Sequence, residues 1–144
     1  MNTQDTIHLL RECDAGSKMA VTSIDEIIEK VNDSKMKCIL ADNKQQHEAL
    51  GNEIHSLLLK YGSEEKEPGT MARSMSWLKT EVKMSINNSD ATAADLITDG
   101  CHMGIKSLHR YQNQYSAADE SAKKLCSRLI TLEEDLCKDL QSYL

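Results

Sequence analysis

Apolar residues recur every three or four positions along most of the chain, which is the spacing of one face of an α-helix. This pattern predicts a first helix that begins at Thr3 or Asp5 and ends near Val31, where the turn-forming residues 32–34 interrupt it. The seam of this helix comprises Ile7, Leu10, Asp14, Ser17, Val21, Ile24, Ile28 and Val31.

A second seam predicts a helix from about residue 35 to residue 61, stopped by Gly62. Its positions are Met36, Leu40, Asn43, His47, Leu50, Ile54, Leu57 and Tyr61. The short link makes the two helices an antiparallel hairpin. Both seams are apolar at their ends and polar in the middle. A buried carboxylate such as Asp14 either serves a site or is neutralised by a partner, because burying it alone is costly.

The rest of the chain repeats this organisation after a long connection. Residues 63–70 form a charged loop with the only proline, and residues 71–86 have the spacing of a shorter amphipathic helix. A long helix is predicted over 91–115, and a last helix runs from there to the C-terminus. Ser116 and Asp119 have the spacing of a capping box at the start of that last helix.

These elements predict an all-α fold: a ferritin-like, up-down four-helix bundle in which two antiparallel hairpins are joined by a long crossover that carries a short extra helix. At 144 residues, one domain spanning 1–144 is expected. Aromatic residues make up 3% of the chain, and there are one proline and six glycines, which favours helix packing over a β-rich fold.

Several short segments recur in a characteristic order and spacing: residues 9–16 (LLRECDAG), Glu53-Ile54 with Tyr61-Gly62, Trp77-Leu78-Lys79, and Asp99-Gly100 with Tyr111. Together they resemble the small bacterial ferritin-like proteins of unknown function, and the resemblance covers nearly the whole chain. It implies a ferritin-like bundle in the bacterial cytoplasm and carries no established substrate.

Ferritin-like bundles often hold two metal ions, using a Glu-x-x-His motif on each of two helices. The chain contains no Glu-x-x-His, so a full di-iron centre is not expected. A reduced, single-metal site remains open. Asp14, His47, Cys101 and Glu133 are the predicted ligands, because an inward set of nitrogen, oxygen and sulfur donors suits a single zinc or iron.

The same four residues also have an interpretation without a cofactor. His47 is then a core histidine that is hydrogen-bonded to Asp14 or Ser17. Cys101 is a small hydrophobic core residue. Glu133 lies just off the seam and reaches solvent.

Charge and cysteine content restrict the partners and the compartment. The net charge is −6 and no basic cluster is present, which argues against nucleic acid as a partner. No apolar stretch approaches the ~18 residues needed to span a membrane, and no signal peptide is evident. The five cysteines lack CxxC spacing, which is typical of free thiols in a reducing cytoplasm.

No sequence motif predicts an enzyme. The chain has no nucleophile elbow, phosphate loop or dinucleotide fingerprint, so no catalytic or cofactor-binding residue is assigned. The predicted function is that of a non-catalytic bundle that acts by association with itself or with a protein partner. The alternatives are a degenerate single-metal or oxidative-stress protein, and a redox sensor that uses Cys101 or Cys126.

Overall fold

A computed structural model describes residues 3–62 and 89–144. Its four helices are α1 (Thr3–Ile28), α2 (Ser34–Lys60), α3 (Asp90–Gln114) and α4 (Glu120–Leu140), followed by a 3-10 helix at Gln141–Tyr143. These two stretches contain no strand, so the all-α prediction is confirmed, and the four helices pack as a bundle. The loop and short helix expected over 63–70 and 71–86 lie outside the described residues.

The turn between α1 and α2 is stabilised by the side chain of Asp33. Its carboxylate accepts the backbone N–H of Met36 at 2.9 Å and so caps α2. The hydroxyl of Tyr143 donates to the same oxygen at 2.9 Å. Both hydrogen bonds favour the charged carboxylate and lower the pKa of Asp33. At the other end of α2, Gly62 has the positive φ of 71° that ends many helices.

One end of the bundle brings together the α1–α2 turn and the start of α3. The backbone N–H groups of Asn32 and Asp33 donate to the two carboxylate oxygens of Asp90, at 2.7 and 3.0 Å. Because Tyr143 bonds to Asp33, the end of α4 lies here as well.

The opposite end joins the start of α1, the end of α2 and the α3–α4 turn. The backbone N–H of Ala117 donates to Asp5 at 3.1 Å, and that of Asp119 donates to the Thr6 hydroxyl at 2.8 Å. Tyr61 donates its hydroxyl to Asp119. The helices therefore run up, down, down and up in chain order, and the end of α2 and the start of α3 lie at opposite ends of the bundle.

The start of α4 differs in detail from the prediction. Asp119 is the N-cap residue, and its side chain makes no capping hydrogen bond. The capping box expected with Ser116 is therefore not formed. The reason is tertiary: the Asp119 carboxylate accepts the hydroxyl of Tyr61 and so ties α4 to the end of α2.

The apolar interior is divided into two clusters, one at each end of the bundle. The upper cluster lies near the α1–α2 turn, and the lower cluster lies near the α3–α4 turn. Buried members of the upper cluster include Ile24, Ile27, Met36, Leu40, Ile97, Cys101, Leu136, Cys137 and Leu140. Buried members of the lower cluster include Leu9, Leu10, Cys13, Leu50, Ile54, Leu58, Leu108, Cys126 and Leu129.

The outer surface of the described helices carries few large apolar side chains. Leu59, Met103 and Leu144 are the exposed ones in these two stretches, and they belong to different parts of the fold. Single exposed apolar residues of this kind are ordinary on a protein surface. None of the helices that the structure describes is both long and apolar enough to cross a membrane.

Candidate functional site

A layer of buried polar side chains separates the two apolar clusters at the middle of the bundle. We call Asp14, Ser17, Asn43, His47 and Glu133 the polar layer; all five are buried. They come from α1, α2 and α4. The polar centre predicted for the first two helices is confirmed, and Glu133 belongs to it instead of reaching solvent.

His47 is the most enclosed member of the polar layer, with no exposed surface. Its Nδ1 lies 3.1 Å from the carbonyl oxygen of Asn43, and since a carbonyl only accepts, Nδ1 carries the proton. Its Nε2 has no hydrogen-bond partner among the described residues. The nearest charged group is the carboxylate of Glu133, whose Oε1 lies 3.8 Å away.

This geometry restricts the chemistry of the His47–Glu133 pair. With the proton on Nδ1, Nε2 presents its lone pair towards the carboxylate of Glu133. A small cation between these two groups would be attracted to both. Nδ1 donates to the Asn43 carbonyl and Nε2 has no partner in the described residues. His47 is therefore not hydrogen-bonded to Asp14 or Ser17, its expected partners.

Two glycines provide the space that the polar layer needs. A Cβ atom at Gly104 of α3 would lie 3.1 Å from Oε1 of Glu133, and one at Gly51 of α2 would lie 2.9 Å from Oγ of Ser17. Any larger residue would force these side chains to move. Gly100, one turn before Gly104 on α3, has no neighbour within 4 Å of such an atom, so it does not provide space for another helix.

Asp14 is neutralised from its own helix. Its Oδ2 lies 3.0 Å from Nζ of Lys18, one turn further along α1, while only 1% of Asp14 is exposed. Neither carboxylate oxygen has a partner with hydrogen-bond geometry in the described part of the chain, so the contact with Lys18 is an ion pair. A buried carboxylate was expected either to serve a site or to be neutralised by a partner, and Lys18 is such a partner.

Cys101 lies beside the polar layer and contacts two residues of α4. Its thiol interacts with the thiol of Cys137 and with Glu133. The interaction with Cys137, burial and the charge of Glu133 all raise the pKa of Cys101. The same thiol contact lowers the pKa of Cys137, because it favours the thiolate there.

The predicted metal ligands are thus only partly brought together. Glu133 contacts both His47 and Cys101, whereas Asp14 is paired with Lys18. Within residues 3–62 and 89–144, no three His, Cys, Asp or Glu side chains are arranged to hold a metal ion. Metal binding by Asp14, His47, Cys101 and Glu133 stays a prediction.

A second feature lies on the surface, where α2 and α4 together line a shallow, open groove of about 600 Å³. Its apolar lining residues are Leu57 and Leu125. At one side, Arg128 forms two hydrogen bonds with the carboxylate of Glu53, at 2.8 and 2.9 Å, which lowers the pKa of Glu53. The lining residues are Asn52, Glu53, Ser56, Leu57, Lys60, Ser121, Lys124, Leu125 and Arg128.

The groove was not predicted from the sequence. Its cationic residues are Lys60 of α2 and Lys124 and Arg128 of α4. Lys60 is far in sequence from the other two, and each residue alone is typical of a charged side chain on a protein surface. They meet only because α2 and α4 pack side by side at the lower end of the bundle.

Comparisons with known proteins place the chain in a family. No curated protein and no solved structure matches it. A family model described as a domain of unknown function, DUF2383, matches residues 5–97, which is more than half of the chain. The match spans α1, α2 and the start of α3, and it includes four of the five residues of the polar layer. The chain therefore belongs to the DUF2383 family.

Proposed function

We propose that this protein is a non-catalytic, ferritin-like helical bundle that acts by binding a protein partner in the groove between α2 and α4. The up-down-down-up order of its helices, with one long crossover, supports the ferritin-like connectivity. The free thiols of the five cysteines support a reducing location, such as the bacterial cytoplasm.

The chemistry of the groove is the observation that carries this proposal. Leu57 and Leu125 offer apolar contact, while Lys60 and Lys124 add positive charge to the lining. The chain as a whole has a net charge of −6, so this region has the opposite sign to the average surface. An amphipathic helix with an apolar stripe and acidic flanks complements such a groove.

A pair of designed peptides tests the groove directly. One is an amphipathic helix with leucine on one face and glutamate on the other, and its counterpart carries lysine in place of glutamate. We expect the glutamate peptide to bind in fluorescence anisotropy, and the double variant Lys60→Glu, Lys124→Glu to weaken it by about tenfold or more. The control is Lys37→Glu with Lys106→Glu, which reverses two exposed charges outside the groove.

Two results would contradict the proposal. The first is equal affinity for the glutamate and lysine peptides, or equal losses in the groove and control variants. The second comes from sedimentation velocity over a range of protein concentration. A dimer that Lys60→Glu with Lys124→Glu dissociates would mean that a second copy, and not another protein, occupies the groove.

The polar layer favours a second candidate function, a degenerate single-metal site for zinc or iron. The supporting observation is that Nε2 of His47 is buried without a hydrogen-bond partner in the described residues and lies next to the carboxylate of Glu133. A cation there would be attracted to both groups. Cys101 adjoins Glu133 and offers a sulfur donor.

Anaerobic calorimetric titration of the protein without a histidine tag tests this second candidate. With a metal site, one equivalent of Zn²⁺ or Fe²⁺ binds per chain, and His47→Ala abolishes binding. His109→Ala, which removes an exposed histidine, serves as the control. Retained binding in Asp14→Ala would remove Asp14 from the ligand set. The absence of stoichiometric binding by either metal would reject the site.

A further inference from the structure

A carboxylate of the chain itself is bound to the arginine of the groove between α2 and α4. The guanidinium of Arg128 donates one hydrogen bond to each oxygen of the Glu53 carboxylate, at 2.9 and 2.8 Å. Arginine recognises carboxylates in general with this fork geometry. An acidic side chain of a partner would therefore meet Arg128 with the same pair of hydrogen bonds, but only after Glu53 has left it.

The ion pair is exposed enough for such an exchange. The side chain of Arg128 is 55% exposed and that of Glu53 is 52% exposed. Solvent screens ion pairs of this kind, and they contribute little to the stability of a fold. Breaking the pair therefore leaves the bundle folded, and water solvates the released carboxylate.

The cationic residues of the groove are spaced so that one acidic helix can match them. Arg128 is one helical turn from Lys124 on α4, a rise of about 6 Å. On α2, Glu53 lies level with Arg128 and is seven residues from Lys60, a rise of about 10 Å. Carboxylates one and two turns apart on a partner helix have these same spacings. Such a helix can thus contact Lys124 or Lys60 together with Arg128.

We propose that Glu53 is an internal competitor for acidic partners, and that a bound partner displaces it from Arg128 with a carboxylate of its own. This inference rests on the proposed function, because the partner is the acidic amphipathic helix that the groove complements. Among the described residues that line the groove, Glu53 carries a negative charge, whereas Lys60, Lys124 and Arg128 carry positive ones. The exchange gives the partner two charge-assisted hydrogen bonds and makes Arg128 a specificity-determining residue for acidic over neutral helices.

Binding of the glutamate peptide to Glu53→Gln, measured by fluorescence anisotropy, tests the proposal. We expect the dissociation constant to fall by about threefold or more, because Arg128 no longer has to leave a carboxylate before it binds the peptide. Asp25→Asn is the matched control: it removes an exposed carboxylate that pairs with Lys44 outside the groove, and it changes the net charge equally. This control is expected to change the dissociation constant by less than about twofold.

The same substitution in an Arg128→Gln background separates exchange from simple repulsion. If the peptide displaces Glu53, the gain from Glu53→Gln includes the release of the arginine, so it is larger when Arg128 is present. If Glu53 only repels the peptide, the gain is equal or larger without Arg128, because the arginine no longer screens the carboxylate. Circular dichroism verifies that each variant is folded, and Glu53→Ala replaces Glu53→Gln if the amide stays bonded to the arginine.

The outcomes distinguish a failure of this inference from a failure of the proposed function. The competitor role is overturned, and the groove remains a binding site, if the wild-type protein binds the glutamate peptide but Glu53→Gln binds it no more tightly. Equal gains in Glu53→Gln and Asp25→Asn, or a gain that is undiminished in the Arg128→Gln background, overturn that role as well. If neither the wild-type protein nor Glu53→Gln binds the peptide, both the competitor role and the proposed function are overturned.

Discussion

Replacing Leu129 with alanine is expected to destabilise the bundle by about 2–5 kcal/mol, the range found when large buried aliphatic residues are truncated. Leu129 of α4 is fully enclosed in the lower apolar cluster. One of its methyl groups would lie 3.9 Å from a Cβ atom at Gly16, so it reaches the backbone of α1. Alanine would leave a cavity between two helices that pack across the bundle.

Urea denaturation followed by circular dichroism measures the free energy of unfolding of this variant. Leu59→Ala is the matched control, because Leu59 is 56% exposed on α2. The control is expected to change stability by less than about 0.5 kcal/mol. A Leu129→Ala variant as stable as Leu59→Ala would contradict the packing described for the lower cluster.

Removing the positive charge of Lys18 is expected to have the second-largest effect. Lys18→Met leaves the buried carboxylate of Asp14 without its ion-pair partner, and an uncompensated buried charge is strongly destabilising. Because the Lys18 side chain is 40% exposed, solvent screens part of this interaction. We therefore expect a loss of about 1–3 kcal/mol at neutral pH, measured by denaturation.

A double-mutant cycle identifies the cause of that loss. Asp14→Asn keeps the shape of the side chain and removes the charge that Lys18 neutralises. The double variant Asp14→Asn, Lys18→Met is expected to be more stable than Lys18→Met alone. If Lys18→Met and the double variant have the same free energy of unfolding, then Lys18 contributes through the packing of its aliphatic stem and not through its charge.

Much of the fold was predictable because local signals agree with the tertiary packing. The turn at 32–34 and the stop at Gly62 were both expected, and the structure has α2 over Ser34–Lys60. Helical periodicity and short links predict antiparallel hairpins in any bundle. The N-cap of α4 was not predictable in the same way, because the Asp119 carboxylate bonds to Tyr61, a residue distant in sequence.

The polar layer was predictable in part. The seams of the first two helices placed Asp14, Ser17, Asn43 and His47 inside, and all four are buried. What each side chain bonds to was not predictable, because partners depend on helix rotation and on side-chain conformation. His47 faces Glu133 and the Asn43 carbonyl, whereas Asp14 pairs with Lys18 on its own helix.

The surroundings of the two cysteines of α4 were likewise not predictable from the sequence. Spacing along α4 puts Cys126 and Cys137 on one face, but periodicity alone does not tell which helix each one meets. That choice follows from the arrangement of four helices, in which α4 packs against both α1 and α3. The contacts with Cys13 and Cys101 therefore emerge only in the folded protein.

The polar layer also selects one axial alignment of the helices. Hydrophobic burial is non-directional, so apolar seams alone specify only weakly against a slip of one turn, about 5.4 Å, between two helices. Such a slip of α2 would carry Asn43 and His47 away from Leu132 and Glu133 and into an apolar cluster. Unpartnered polar groups in that environment are penalised. The buried histidine and asparagine thus specify the position of α2 along the bundle axis.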